Sequence, residues 1–183
     1  MKYVIQPITN ESMRDVLEIE IFSNTFDHPD FGIVTDLKCW TLKDFAKYWK
    51  SKTSIGLVIK EGHITVGYAV LNTKNDKVVV DKLVIHPHFR RLKLGTALVV
   101  EILAKYPAKV HQFIVRETDK ASIEFYKSFK FKSRLSQQHF HKNEDGIIFY
   151  KIKNSCPWII LTRSIPQTTP KRKIDKIRIV FSP

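Results

Sequence analysis

Apolar and polar positions alternate along this chain in short segments, and their period switches between that of a strand and that of a helix. Residues 78–85, VVVDKLVI, are an apolar, β-branched run with the signature of a buried strand. His86-Pro87 ends it, because proline cannot continue a central strand. A basic turn follows, Phe89-Arg90-Arg91-Leu92-Lys93-Leu94-Gly95. A helical pattern then runs over residues 96–105, with Ala97, Leu98, Ile102 and, more weakly, Val99 and Leu103 on its apolar face. So a strand feeds a cationic turn, and the turn opens a helix.

Upstream, residues 2–6 read as a strand closed by Pro7. Thr9-Asn10-Glu11-Ser12 carries helix-start chemistry, and Met13, Val16, Leu17 and Ile19 extend an amphipathic helix to about residue 22. Residues 23–37 mix Asp, His, Pro and Gly and read as a loop. Leu42, Phe45, Ala46 and Trp49 share one face of a second helix, which Thr41 can cap with Asp44 in its first turn. Residues 55–60 and 64–72 alternate about Glu61-Gly62-His63 as a hairpin, and Asn75-Asp76 turns into the run at 78–85. Pro107 breaks the central helix, and residues 110–115 form another strand. Thr118-Asp119 caps a short helix over residues 120–129, and residues 132–138 and 146–152 supply two more strands. This order predicts an α+β, or mixed α/β, plan: one mixed, mostly antiparallel sheet flanked by helices.

Bulk properties narrow the picture. A chain of 183 residues is expected to form one domain with a sizeable core. Two cysteines, Cys39 and Cys156, make neither a disulfide framework nor a metal cluster, and a reducing compartment fits. The N-terminus has no long apolar run, so a cytoplasmic protein without a membrane segment is expected. Lys and Arg number 31 against 18 Asp and Glu, a net charge of +13. Such a chain favours anions: nucleic acid, a ribosome surface, a membrane or an acidic cofactor. The lysines are spread along the sequence, so a generic basic surface reads equally well. In the tail, residues 166–170 read as a linker, and residues 171–180 alternate charged and apolar positions as an edge strand does. Its charges suit contact with RNA phosphates or with solvent alike.

The strand-turn-helix unit is a site for an anion. The first N–H groups of a helix have no internal partner, and the helix dipole adds positive potential there. Gly95 permits close approach to the backbone, and Arg90, Arg91 and Lys93 add charge that suits a diphosphate. A solvated basic turn is the plain alternative.

The order of residues adds to this. Leu83-Val84-Ile85-His86-Pro87, then Arg90-x-x-Lys93-x-Gly95-x-Ala97-Leu98, resembles the acetyl-CoA-binding segment of the GCN5-related N-acetyltransferases (GNAT family). That family carries Arg/Gln-x-x-Gly-x-Gly/Ala after a strand ending in Val-x-Pro, and Lys93 stands at its first glycine. A positive φ at Lys93 would strain the loop. Asp119-x-Ala121-x-x-x-Phe125-Tyr126-x-x-x-Lys130-Phe131 is similar to the family's closing motif, with Asp119 for the usual Asn and Lys130 for the usual Gly. Leu17-Glu18-Ile19-Glu20, Cys39-Trp40-Thr41-x-x-x-Phe45 and Glu144-Asp145-Gly146-Ile147-Ile148 resemble signatures of one branch, the RimI-type ribosomal-protein N-terminal alanine acetyltransferases. The resemblance covers residues 2–152. It divides the chain into an N-acetyltransferase domain at 1–153 and a basic extension at 154–183.

The resemblance implies direct transfer of an acetyl group from acetyl-CoA to a primary amine. The expected acceptor is a protein or peptide N-terminus, a ribosomal one included, and no metal is required. Main-chain groups of Leu83, Val84 and Ile85 would pair with pantetheine, and Arg90, Arg91, Leu92, Lys93, Leu94, Gly95 and Thr96 would hold the pyrophosphate. Asp119 would lie near the cofactor. Tyr126 would protonate the departing thiolate, and Asp81 is the candidate base. Glu20 would hold the incoming ammonium, with Trp40 and His141 lining the acceptor groove. Where the branch has a glutamate, twelve positions before the tyrosine, this chain has Ile114. Plain alternatives stand beside these roles: Tyr126 as a core aromatic, Asp81 and Glu20 as partners of lysines, His141 as an exposed histidine. Two other functions also stay open. One is acetylation of a small amine such as a polyamine or aminoglycoside, which a positive protein attracts poorly. The other is binding of CoA or a partner without catalysis, since Lys93, Ile114 and Lys130 leave the family pattern.

Overall fold

The computed structural model describes residues 2–27, 40–141 and 144–152; the side chains of residues 24–27 and 136–145 lie outside that description. The basic extension, with its expected linker and edge strand, falls outside it as well, as does Cys39. The described elements are β1 (Tyr3–Pro7), α1 (Asn10–Asp27), α2 (Leu42–Trp49), β2 (Ser54–Glu61), β3 (Ile64–Lys74), β4 (Lys77–Ile85), a short 3-10 turn (Pro87–Phe89), α3 (Leu94–Lys105), β5 (Val110–Arg116), α4 (Lys120–Ser128), β6 (Lys132–His141) and β7 (Glu144–Ile152). The strands form one seven-stranded sheet in the order β1-β2-β3-β4-β5-β7-β6. Every neighbouring pair is antiparallel except β4 and β5, which run parallel. This is the expected α+β plan.

Period-2 alternation sends successive residues to opposite faces of the sheet. On β2, Val58 packs with Val16 and Ile19 of α1, Phe45 of α2, and Tyr68 and Val70 of β3. Its neighbours Leu57 and Ile59 join the other face, with Leu94, Leu98, Val99 and Ile102 of α3, Phe113 of β5, Tyr126 of α4 and Phe149 of β7. So α1 and α2 cover one side of the sheet, and α3 and α4 the other.

Local chemistry explains most of the helix starts. Thr41 and Asp44 form a reciprocal capping box on α2: the Asp44 N–H donates to the Thr41 hydroxyl, and the Thr41 N–H to the Asp44 carboxylate at 2.8 Å. Thr9 and Ser12 exchange the same kind of bonds at the head of α1. Several strand ends shift by one to three residues from the sequence expectation, and two helix boundaries differ for a physical reason. The first helix runs to Asp27 rather than to about residue 22, so the loop does not begin at Ser23. Ser23 is buried and receives the Arg90 guanidinium at 2.7 Å, a tertiary anchor that local propensity does not contain. The central helix begins at Leu94 rather than at Thr96, and Leu94 joins the core. Gly95 falls in the first turn, where it interrupts no helical bond. Among the described residues, no helix is long and apolar enough to cross a membrane.

Two irregularities of β4 shape the middle of the sheet. First, the β3–β4 register slips: Val70 faces Lys82 but Leu71 faces Val80, which leaves Asp81 as an extra residue in a β-bulge. Second, β4 and β5 pair only from Lys77–Val110 to Val80–Phe113. Beyond that point β4 keeps its bonds to β3, as Leu83 to Ala69 and Ile85 to Gly67, while its other edge has no strand partner among the described residues. Gly67 keeps this end of β4 close to β3. A Cβ there would meet Ile85 Cδ1 at 2.5 Å and the Val84 carbonyl at 2.7 Å.

Candidate active site

The turn into α3 brings three elements together at its glycine. A Cβ on Gly95 would stand 3.4 Å from Phe125 Cζ of α4 and 3.7 Å from Ile85 Cγ1 at the end of β4. The first helical hydrogen bond runs from the Ala97 N–H to the Lys93 carbonyl at 3.0 Å. The amides of Leu94, Gly95 and Thr96 therefore stand ahead of the helical ladder, as an anion site requires. Arg91, Leu92 and Lys93 are exposed beside them. Arg90 turns back instead: its Nε donates to the Ile85 carbonyl at 3.1 Å, and its other nitrogen to Ser23 Oγ. Its charge stays near the turn while its donors tie the end of β4 to α1.

The turn carries strain. Arg91 has φ 65° and Lys93 has φ 61°, both left-handed, and Lys93 caps α3 without a side-chain bond. Lys130, at the second glycine position of the resemblance, has φ 56°. Both lysines thus keep a backbone conformation that suits glycine. Lys93→Gly is expected to raise stability by about 1 kcal/mol, the left-handed penalty reduced by the chain entropy of glycine. A urea titration reads this as a higher midpoint, and an unchanged or lower one would mean the turn stores no strain.

Tyr126 lies under α4 and is 6% exposed. Its ring packs against Phe113 of β5, Phe149 of β7 and Phe131, and edge-on to Phe125. Burial, and then the Asp119 carboxylate, raises its phenol far above the ordinary range, so it keeps its proton. Asp119 itself caps α4, accepting from the Ser122 N–H at 2.9 Å. Among the described residues the Tyr126 hydroxyl has no hydrogen-bond partner, and it is not among the sealed unpaired atoms. The hydroxyl is protonated and uncommitted, so it can give its proton to a strong base held against it, although burial makes it a weaker acid than a free phenol.

The bulge in β4 sends two successive side chains to the α1–α2 side. Asp81 accepts a hydrogen bond from the Tyr48 hydroxyl of α2 at 2.9 Å. Burial raises the Asp81 pKa above the usual carboxylate range, and the Tyr48 bond opposes the shift. Tyr48 also lines an open cavity of about 360 Å³ with Trp40, Asp44, Lys47, Ser51 and Asn72. Lys82 reaches α1, where its ammonium pairs with Glu20. Glu20 is 1% exposed, and also receives the Tyr68 hydroxyl and, at 3.0 Å, the Trp40 N–H. The place beside Glu20 that an acceptor ammonium would take is therefore held by Lys82. The Trp40 ring lies 5.3 Å from the Lys82 Nζ and 5.2 Å from the Tyr48 ring.

His141 ends β6, paired in register with Glu144, and its side chain lies outside the described residues. Ile114 sits on β5 opposite Ile148, away from any carboxylate role. Tyr48, Tyr68 and Lys82 were not singled out from the sequence. Tyr48 was within reach, three positions after Phe45 on the same helix face. Lys82 was not, because a strand without a bulge alternates Asp81 and Lys82 to opposite faces. Among the described residues, no group of three or more His, Cys, Asp or Glu side chains is placed to hold a metal ion.

Solved structures share this architecture. The ribosomal-protein-S18-alanine N-acetyltransferase from Escherichia coli superposes with a TM-score of 0.64 at 18% identity, covering 81% of this chain and 92% of that one. The PaiA N-acetyltransferase from Thermoplasma acidophilum, crystallised with coenzyme A, gives 0.66 at 16% identity, covering 83% and 99%. Ard1 from Thermoplasma volcanium gives 0.63 at 15% identity, covering 83% and 98%. No curated protein sequence matches closely enough to add a nearer relative. The sequence profile of the Acetyltransferase (GNAT) family matches residues 15–131, a span that holds the bulge, the open edge of β4, the turn into α3 and Tyr126. The chain belongs to the acetyltransferase (GNAT) family, whose members take their acetyl group from acetyl-CoA.

Proposed function

We propose that this acetyltransferase acts on the N-terminal amine of a protein or peptide, by direct transfer from acetyl-CoA. The observation that carries the reading is the open edge of β4 beyond Val80, with Asp81 at its start and the free amides of α3 past its end. In this reading the main-chain groups of Leu83, Val84 and Ile85 take the pantetheine arm as an added strand. The amides of Leu94, Gly95 and Thr96, with Arg91 and Lys93, take the pyrophosphate. Asp119 stands at the cofactor side of α4, and Trp40 and His141 border the acceptor.

The reaction then balances with groups of this chain. The amine nitrogen attacks the thioester carbonyl carbon, the new C–N bond forms and the C–S bond breaks. Asp81 accepts the proton that the amine loses, and its raised pKa makes it a better base than an ordinary carboxylate. Tyr126 gives its proton to the departing thiolate. Glu20 is engaged by Lys82, which favours Asp81 over Glu20 as the group that meets the amine. Among the similar structures, one is named a ribosomal-protein-S18-alanine N-acetyltransferase, which supports a protein acceptor.

Calorimetric titration with acetyl-CoA tests the donor. Saturable binding is expected, and its absence at millimolar ligand, a level that detects even weak complexes, removes the cofactor assignment. A thiol-release assay over a peptide library then tests the acceptor. Release with peptides supports the reading. Release only with free polyamines moves the enzyme to small amines, and binding without release makes it a CoA-binding protein.

A further inference from the structure

Glu20, Tyr68 and Trp40 are arranged as a receptor for an ammonium group. Glu20 supplies a carboxylate almost wholly removed from solvent. Tyr68 donates to one of its oxygens and the Trp40 N–H to the other, so the carboxylate is fixed in place. The Trp40 ring adds a π face 5.3 Å from the captured nitrogen. A buried carboxylate beside an aromatic face is the chemistry that recognises a primary ammonium.

The ammonium in this receptor belongs to the chain itself. Lys82 enters it because the bulge at Asp81 turns Lys82 onto the α1–α2 side, next to the candidate base and on the open edge of β4. This pair differs from the chain's surface ion pairs, such as Arg14–Glu18 and Lys127–Glu124, whose partners are all more than half exposed. The Lys82 side chain is 20% exposed against 1% for its partner. A pair so enclosed is weak evidence for a role in stability, since an apolar pair of similar volume serves the fold as well. Its position beside the acceptor side of the cleft gives it another role.

We propose that Lys82 is a specificity-determining residue, whose own ammonium fills the Glu20–Tyr68–Trp40 receptor and so denies it to a cationic group next to the acceptor amine. The inference rests on the proposed acceptor site at Asp81. A second positive charge on the acceptor then meets Lys82 rather than Glu20, and like charges repel. Acceptors with neutral or acidic groups beside the reactive amine are preferred, and polyamines are rejected.

Two measurements test this, and the first needs no acetyl-CoA. In Lys82→Ala the receptor is vacated, and n-propylammonium chloride is expected to raise the thermal midpoint in a saturable way. It should not do so in the wild-type chain or in the double variant Lys82→Ala/Glu20→Gln. No saturable rise beyond that of sodium chloride overturns the receptor. Lys82→Met keeps the stem packed and serves the second measurement, the ratio of kcat/KM for spermidine to that for a neutral N-terminal peptide. The ratio is expected to rise about tenfold in Lys82→Met, on removal of a like charge and release of a carboxylate, and to stay at the wild-type value in Lys82→Arg. An unchanged ratio in Lys82→Met overturns the specificity role. If the wild-type chain acetylates nothing, the proposed function fails and the melting experiment alone decides the receptor.

Discussion

Tyr126→Phe is expected to slow acetyl transfer by about 10²–10⁴-fold, the usual contribution of a positioned general acid, while the affinity for acetyl-CoA stays the same. The ring is held by Phe113, Phe131 and Phe149, and phenylalanine preserves that packing. The deleted hydroxyl has no protein partner among the described residues, so its removal strands no buried group. Thermal stability should therefore hold or rise slightly. Single-turnover rates and calorimetry on one preparation separate the effects. A full rate would remove Tyr126 from the mechanism and leave it as a core aromatic. Because burial and Asp119 raise the phenol, its loss of a proton does not set the alkaline side of the wild-type pH profile.

Asp81→Asn is the second large effect, again about 10²–10⁴-fold in kcat/KM. Asparagine still accepts the Tyr48 hydroxyl bond, so the local geometry survives and only the base is lost. The stability effect has the opposite sign from the activity effect. Burial raises the folded-state pKa of Asp81 above its unfolded value, so the fold favours the protonated carboxyl. That contribution is complete at pH below the unfolded value and is lost as pH rises through the folded one. At neutral pH the wild-type chain thus carries an ionised carboxylate that the fold disfavours, and the asparagine variant does not. The variant should be equally or more stable at pH 7, with the difference shrinking as pH falls. On the acid side, wild-type kcat/KM should drop at a pH above the ordinary carboxylate range, and this limb should vanish in the variant. A variant that loses activity and stability together would make Asp81 a structural partner of Tyr48.

Helix starts and strands were legible where their causes are local. The Thr41–Asp44 capping box, the Glu61-Gly62-His63 hairpin turn and the proline after His86 each act within a few residues, and each element appears where they place it. The strand-turn-helix unit was legible for the same reason, since its amides and charges are contiguous. The glycine conformation of Lys93 and Lys130 was signalled only by the resemblance, which sets both at glycine positions, because a lysine by itself does not announce a positive φ. The extension of α1 to Asp27 depends on Ser23 meeting Arg90, residues far apart along the chain.

The candidate site divides along the same line. Tyr126, Asp81 and Glu20 were named from motifs, yet their surroundings come from contacts that the linear order does not encode. The carboxylates differ most. Asp81 and Glu20 read alike in sequence, each a carboxylate able to find a lysine. In the fold Asp81 takes a single tyrosine hydroxyl among the described residues, and Glu20 is engaged by Lys82, Tyr68 and Trp40. A single extra residue in β4 makes that difference, by turning Lys82 to the same side as Asp81.

Alone, the amino-acid order determined the element types, the single mixed sheet and the strand-turn-helix unit with its leading amides, since periodicity, capping and helix-end amides are short-range matters. Tertiary structure decided which strand edge stays open, which carboxylate is left with a single partner among the described residues and which lysine becomes an internal counter-ion. Those outcomes depend on strand register and on packing between distant segments, where a shift of one residue changes the face on which a side chain works.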